Sequence, residues 1–334
     1  MNYIGSKHKL SSFLKKTIKD TVGNNLSEMV FCDLFAGTGI VGRNFKPLVK
    51  QVIANDVEYY SYVLNRHYIG NYKEINAQQF LKVLNNLEGE EGFIFQNYCE
   101  NGNENRLYFS SENGKKIDAI RKKIEFWKTS NKINENEYFY LLTCLIEAAD
   151  KVANTAAVYG AYLKKLKKTA QKTLHLVPAK FSTTENSHQV FNENSNNLIQ
   201  HIKGDILYLD PPYNARQYGA NYHLLTTIAK YDNFTPKGKT GLRNYYKSSY
   251  CKKNEVKISF EDLIKNANFK YIFLSYNNEG LMTENEVENI MSCYGKYSLK
   301  TINYQRFKAD KSTNRNHKAT STVEYLHILE KHEQ

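Results

Sequence analysis

The segment from Met29 to Asp56 constrains the fold more than any other part of the chain. M-V-F-C-D-L (29–34) is a short apolar run, Q-V-I-A-N-D (51–56) is a second one ending in an acid, and F-A-G-T-G-I-V-G lies between them. Short apolar runs rich in β-branched and aromatic residues read as buried strands. Gly37, Gly39 and Gly42 permit a tight turn that passes close to a ligand and opens a helix. Strand, glycine turn, helix and strand make a βαβ unit, which lays two parallel strands side by side. An α/β fold follows. Four later runs extend the sheet: D-I-L-Y-L-D (205–210), Y-I-F-L-S-Y (271–276), S-L-K-T-I-N-Y (298–304) and V-E-Y-L-H-I-L (323–329). Residues 71–185 interrupt it with a charged, mostly helical segment, of which E-Y-F-Y-L-L-T-C-L-I-E-A-A (137–149) is the most apolar helix. The expected organisation is a sheet domain from 1–70 and 186–334 carrying a helical insertion over 71–185.

The run 205–210 ends in D-P-P-Y (210–213). Pro211 and Pro212 cannot continue a hydrogen-bond ladder, so Asp210 falls at the carboxyl end of its strand, the edge at which open α/β sheets bind ligands. A carboxylate, a carbonyl with no competing N–H and the face of Tyr213 suit a flat, amino-bearing molecule. The glycine stretch alone leaves its ligand open. Gly37 to Gly42 satisfies G-x-G-x-x-G, and Asp56 follows 17 residues after Gly39. On a dinucleotide reading, the glycines approach a pyrophosphate and Asp56 a ribose. On an adenosyl reading, Asp33 and Phe35 join the site, Asp33 meeting an ammonium and Asp56 the ribose hydroxyls. Hydride transfer has no use for D-P-P-Y, which favours the second reading.

The net charge of +12 is regional. Residues 151–184 hold seven lysines and no acid, 236–253 hold six basic residues and no acid, and 303–318 hold five against Asp310 alone. With aromatics interleaved, as in L-R-N-Y-Y-K, this is the footprint of a protein that holds a phosphate backbone. Lys164, Lys165, Lys167, Lys168, Arg243 and Lys247 are the candidate phosphate contacts. No apolar run approaches the roughly 18 residues of a membrane span. The opening M-N-Y-I-G-S-K-H-K-L lacks a signal peptide's apolar stretch, and five widely spaced cysteines argue against a disulfide framework or a zinc site. A cytoplasmic protein without a metal is expected.

Taken together, N-Y-I-G-S-K (2–7), D-L-F-A-G-T-G (33–39), N-D (55–56), D-P-P-Y (210–213) and L-S-Y-N-N-E-G (274–280) resemble the Dam-like branch of the adenine-specific DNA amino-methyltransferases. The resemblance implies a Rossmann-like sheet, S-adenosylmethionine as methyl donor and the exocyclic amine of an adenine flipped from duplex DNA as acceptor. It implies that Asp210 and the Pro211 carbonyl hold that amine while Tyr213 offers its ring to the base. Tyr3, Gly5, Ser6 and Lys7 fall at the donor's methionyl end, and Asn194 stands where the family often has an acid near the donor's adenine. Ser275, Tyr276 and Asn277 border the base pocket. The 71–185 insertion occupies the place of a target-recognition segment, and a cognate restriction endonuclease acting separately is a candidate partner. Cytosine-N4 methylation, an RNA substrate and a non-catalytic DNA-binding role are the alternatives.

Overall fold

The computed structural model describes residues 7–305 and 321–332. They form two compact units. One comprises residues 7–57, 184–217, 246–305 and 321–332, and the other residues 58–183 and 218–245. Tyr3, Gly5 and Ser6 lie outside the described residues, as does most of the basic stretch 303–318.

The first unit is built on a seven-stranded sheet. Its strands are β1 (Val30–Asp33), β2 (Gln51–Asn55), β3 (Gln189–Phe191), β4 (Lys203–Leu209), β5 (Asn268–Asn277), β6 (Gly295–Gln305) and β7 (Ser321–Lys331). They lie in the order β3-β2-β1-β4-β5-β7-β6. Strands β1 to β5 run parallel, and β7 runs antiparallel to both β5 and β6. Six of the seven correspond to runs read from the sequence. The exception is β3, whose three residues are too few and too exposed to show an apolar pattern.

The order reverses between β1 and β4, where the chain winds outward in both directions. A crevice opens outside the carboxyl ends of the strands at such a switch point. Cα register places Asp33 of β1 beside Tyr208 of β4. The glycine turn and D-P-P-Y, 173 residues apart from Gly37 to Asp210, therefore leave the sheet from adjacent strands.

Helices cover the sheet with apolar faces. Val256–Asn266 buries Val256, Phe260, Leu263 and Ile264, a helical spacing of one face, against a cluster that includes Leu207, Leu209, Ile272 and Leu274. The buried Lys331 ammonium on β7 donates to the carbonyls of Ile264, Lys265 and Ala267, closing that helix's carboxyl end. In the glycine turn's own short helix, Ile40–Phe45, the Phe45 ring stacks on Phe31 of β1 at 4.3 Å.

The second unit is helical. The apolar helix expected over 137–149 runs Glu135–Val152, opened by a capping box in which Asn134 and Glu137 exchange hydrogen bonds. Its core is rich in aromatics, Tyr60, Tyr98, Tyr108, Trp127, Tyr159 and Tyr222 among them. Residues 58–70 and 218–245 also belong to this unit, beyond the 71–185 segment assigned to it from sequence, and 184–185 fall to the sheet unit. No helix among the described residues is long and apolar enough to cross a membrane.

Candidate active site

The glycine turn takes its shape from two acids. Gly37 and Gly39 adopt φ of +52° and +73°, a region that an L side chain enters only with strain. The Gly37 N–H donates to the Asp56 carboxylate at 2.8 Å, and the Gly42 N–H donates to Asp33 at 2.9 Å. Asn55 braces the same edge. Its amide donates to the carbonyls of Leu34 and Glu193 and accepts from the Glu193 N–H, tying the ends of β1, β2 and β3 together. Phe35 packs edge-on against Tyr250 at 5.1 Å.

Asp33 is buried at the end of β1. Burial pushes its carboxyl up to about 7 despite the Gly42 N–H, and the charges of Asp210 and Asp56 add to the rise. A carboxyl held up in this way gains from any cation placed beside it.

Across the switch point, Asp210 caps β4, and Lys7 reaches it from the short turn Lys7–Leu10. The Lys7 ammonium lies 3.2 Å from Asp210 and 3.7 Å from Glu324 on β7, with side-chain exposures of 6%, 19% and 13%. Burial pushes the Asp210 carboxyl up to about 6; Lys7 pulls it back, and Glu324 adds to the rise. Burial also works against the Lys7 charge, but the two carboxylates outweigh it and its pKa rises. The two carboxylates thus favour the charged ammonium, and the ammonium in turn favours the ionised form of Asp210.

Pro211 is buried, and Tyr213 is partly exposed. The Tyr213 ring meets Tyr276 edge-on at 6.5 Å, and its carbonyl accepts from the Leu281 N–H at 2.9 Å. That last bond fastens the D-P-P-Y loop to the segment after β5. Gly280 is obligatory in that segment, because a Cβ there would fall 2.0 Å from the Tyr276 ring. Ser275, Tyr276 and Asn277 are all buried along the end of β5.

Three expected contacts take another form. Asn194, read as an acceptor for the donor's adenine, instead caps the short helix Ser195–Leu198: its side-chain oxygen accepts from the N–H groups of Asn196 and Asn197, and its amide donates to Tyr246. An amide oxygen has two lone pairs, and both are used. Arg243 makes a bidentate pair with Asp232 at 2.9 and 2.7 Å and lies over the Phe234 ring, so its fork is not open to a phosphate. Lys167 donates to the Thr155 carbonyl at 2.6 Å within its own loop. Lys164, Lys165, Lys168 and Lys247 are exposed. Conversely, Glu324 was invisible in the sequence as a site residue, because V-E-Y-L-H-I-L carries only the signature of a strand.

Residues 3–290 match the family described as D12 class N6 adenine-specific DNA methyltransferase. The chain is 62% identical to "Type II methyltransferase M.NlaIII" of Neisseria lactamica over 99% of both chains. It is 38% identical to "Type II methyltransferase M.CviAII" of Paramecium bursaria Chlorella virus 1, covering 92% of this chain and 93% of that one. With "Type II methyltransferase M.FokI" of Planomicrobium okeanokoites it shares 41% identity over 99% of its own length, which spans only 53% of that longer protein. Neither cytosine nor RNA is the substrate that the matched family's description names. With the motif order, the switch-point geometry and a match over most of its length in agreement, the chain belongs to the D12 class of N6 adenine-specific DNA methyltransferases, whose methyl donor is S-adenosylmethionine.

Proposed function

We propose that the buried Asp210 carboxylate and the Pro211 carbonyl hold the N6 amine of a flipped adenine, and that Asp33, Phe35, the Gly37–Gly39 turn and Asp56 hold the donor. The observation that carries this reading is the meeting of the two motifs at the switch point, with a desolvated carboxylate on one side and a glycine turn between two acids on the other. The residues fit the donor's chemistry. Positive φ at Gly37 and Gly39 keeps side chains off the turn, the raised Asp33 carboxyl suits the donor's ammonium, and Asp56 suits ribose hydroxyls.

S-adenosylmethionine supplies a methyl group already activated by its sulfonium. The adenine amine is the weak partner, since its lone pair is delocalised into the ring. Two acceptors on its two N–H groups draw the nitrogen toward a tetrahedral shape and free that lone pair, while holding it in line. Tyr213 supplies a face for a base taken out of the duplex. The protein's part is to position and to stabilise charge.

The product identifies the reaction. With radiolabelled donor and mixed-sequence DNA, digestion is expected to yield N6-methyl-2′-deoxyadenosine as the labelled nucleoside; label in a cytosine derivative would overturn the reading. Tyr213 divides the mechanism further. Phenylalanine keeps the ring and is expected to retain most activity, whereas Tyr213→Ala loses the roughly 1 to 3 kcal/mol typical of base–aromatic stacking. Single-turnover methylation measures both, and a phenylalanine variant as slow as the alanine one would give the role to the hydroxyl.

The helical unit, residues 58–183 and 218–245, serves target recognition in this proposal, and Lys164, Lys165 and Lys168 contact phosphate. Neutralising the three is expected to reduce the slope of log affinity against log salt by about 2.7, at roughly 0.9 per phosphate contact. An unchanged slope would return them to solvated surface. Similarity to type II methyltransferases over whole chains supports a role in a restriction-modification system, with a separate cognate endonuclease and a cytoplasmic site of action.

A further inference from the structure

Glu324 is the one member of the buried charge cluster that no motif supplies. It stands on β7 opposite Asn277 of β5, and its Oε2 atom is shut off from solvent with no hydrogen-bond donor among the described residues. The Lys7 ammonium, at 3.7 Å, is its charge partner. Lys7 and Asp210 already neutralise each other, so that pair needs no third charge for its own stability. Burying a further carboxylate beside them is costly. What it changes is the net charge, which goes from zero to −1.

We infer that Glu324 is a positioning residue for methyl transfer: it shares the Lys7 ammonium and so leaves the Asp210 carboxylate electron-rich toward the substrate amine. The inference rests on the reading of Asp210 as that amine's acceptor. As the N6–CH3 bond forms and the S–CH3 bond breaks, the bonding electron pair stays on sulfur and positive charge moves to N6. One N6 proton then leaves to Asp210 and on to water. A neutral Lys7–Asp210 pair would present little field to that developing charge. A triad of net −1 on the N6 side stabilises it where it appears, without reorganisation. Lys7, Tyr208, Tyr213, Asp33 and Glu324 are the titratable groups facing Asp210, from the first turn, its own strand and loop, β1 and β7. Lys7 is the sole cation among them.

Glu324→Gln keeps the volume and removes the charge. Asp210 then loses a negative neighbour and takes Lys7 undivided, and both changes lower its pKa. Single-turnover methylation is expected to slow about tenfold at pH 8, less than loss of a direct contact would cost, while the acidic limb of the rate profile moves to lower pH. Lys7→Met is expected to move that limb to higher pH, and Glu324→Asp to restore most of the rate and the limb. The carbon-13 carboxyl resonance that vanishes in Asp210→Ala reports the same titration without turnover, and thermal melts establish that each variant is folded. A Glu324→Gln enzyme whose limb and resonance both stay put would assign Glu324 to strand packing and end the inference. If Asp210→Ala itself kept its turnover, the acceptor reading would fail first, so the two failures are separable.

Discussion

Asp210→Ala is expected to lower single-turnover methylation by about 10²- to 10³-fold, the scale for removing one preorganised group from a developing charge. Two losses combine in it. The amine forfeits its charged acceptor, and the buried Lys7 ammonium, whose side chain is 6% exposed, stays in place without its nearer carboxylate, with Glu324 alone at 3.7 Å. The second loss puts a cation near the place where N6 becomes positive, which deepens the first. Donor binding should survive, since the Gly37–Asp56 and Gly42–Asp33 bonds do not involve Asp210. Asp210→Asn separates the components, because it retains an acceptor oxygen and loses the charge. Rapid-quench methylation beside calorimetry of the donor measures the split. Near-native turnover in the alanine variant would remove Asp210 from the reaction.

Gly39→Val is expected to bring donor affinity below detection while DNA affinity changes by less than about twofold. Gly39 sits at φ +73°, where a β-branched residue is strained, and it donates its N–H to Ala36 at 2.7 Å to close the turn. A valine shifts the turn to relieve that strain, and the shift carries the Gly37 N–H away from Asp56. Equilibrium dialysis with labelled donor and a gel-shift titration on the same preparation check both halves. Normal donor binding would place the donor elsewhere on the sheet edge.

The sequence exposed those two positions for different reasons. Glycines spaced G-x-G after an apolar run announce a turn that no other residue can make, and a proline pair after another run announces a strand end. Both are local signals. What stayed hidden is lateral: nothing in residues 205–210 says that their strand lies against β1, and nothing in V-E-Y-L-H-I-L says that Glu324 faces a lysine 317 residues earlier in the chain. Only strand order and register bring them together. Asn194 has a local use that its motif position concealed. Its neighbours matched a motif position, but an asparagine just before a helical turn has a local use as a cap, and that use prevailed. Arg243 and Lys167 were read as open charges, since a sequence does not reveal that Asp232 and the Thr155 carbonyl are within reach.

The Lys7–Asp210–Glu324 cluster also bears on how the enzyme comes into being. Its members come from the first turn, the middle strand and the last strand of the described chain, so it cannot assemble before β7 is in place. β7 inserts between β5 and β6, and its pairing with β5 closes contacts made across some fifty residues of sequence. Non-local strand pairing of this kind is a late and slow step in folding. A folding intermediate with the glycine turn formed and β7 not yet docked would hold a donor pocket without a functional acceptor. In a refolding experiment, donor binding is therefore able to return before methylation, and the lag between the two reports the docking of the last strand.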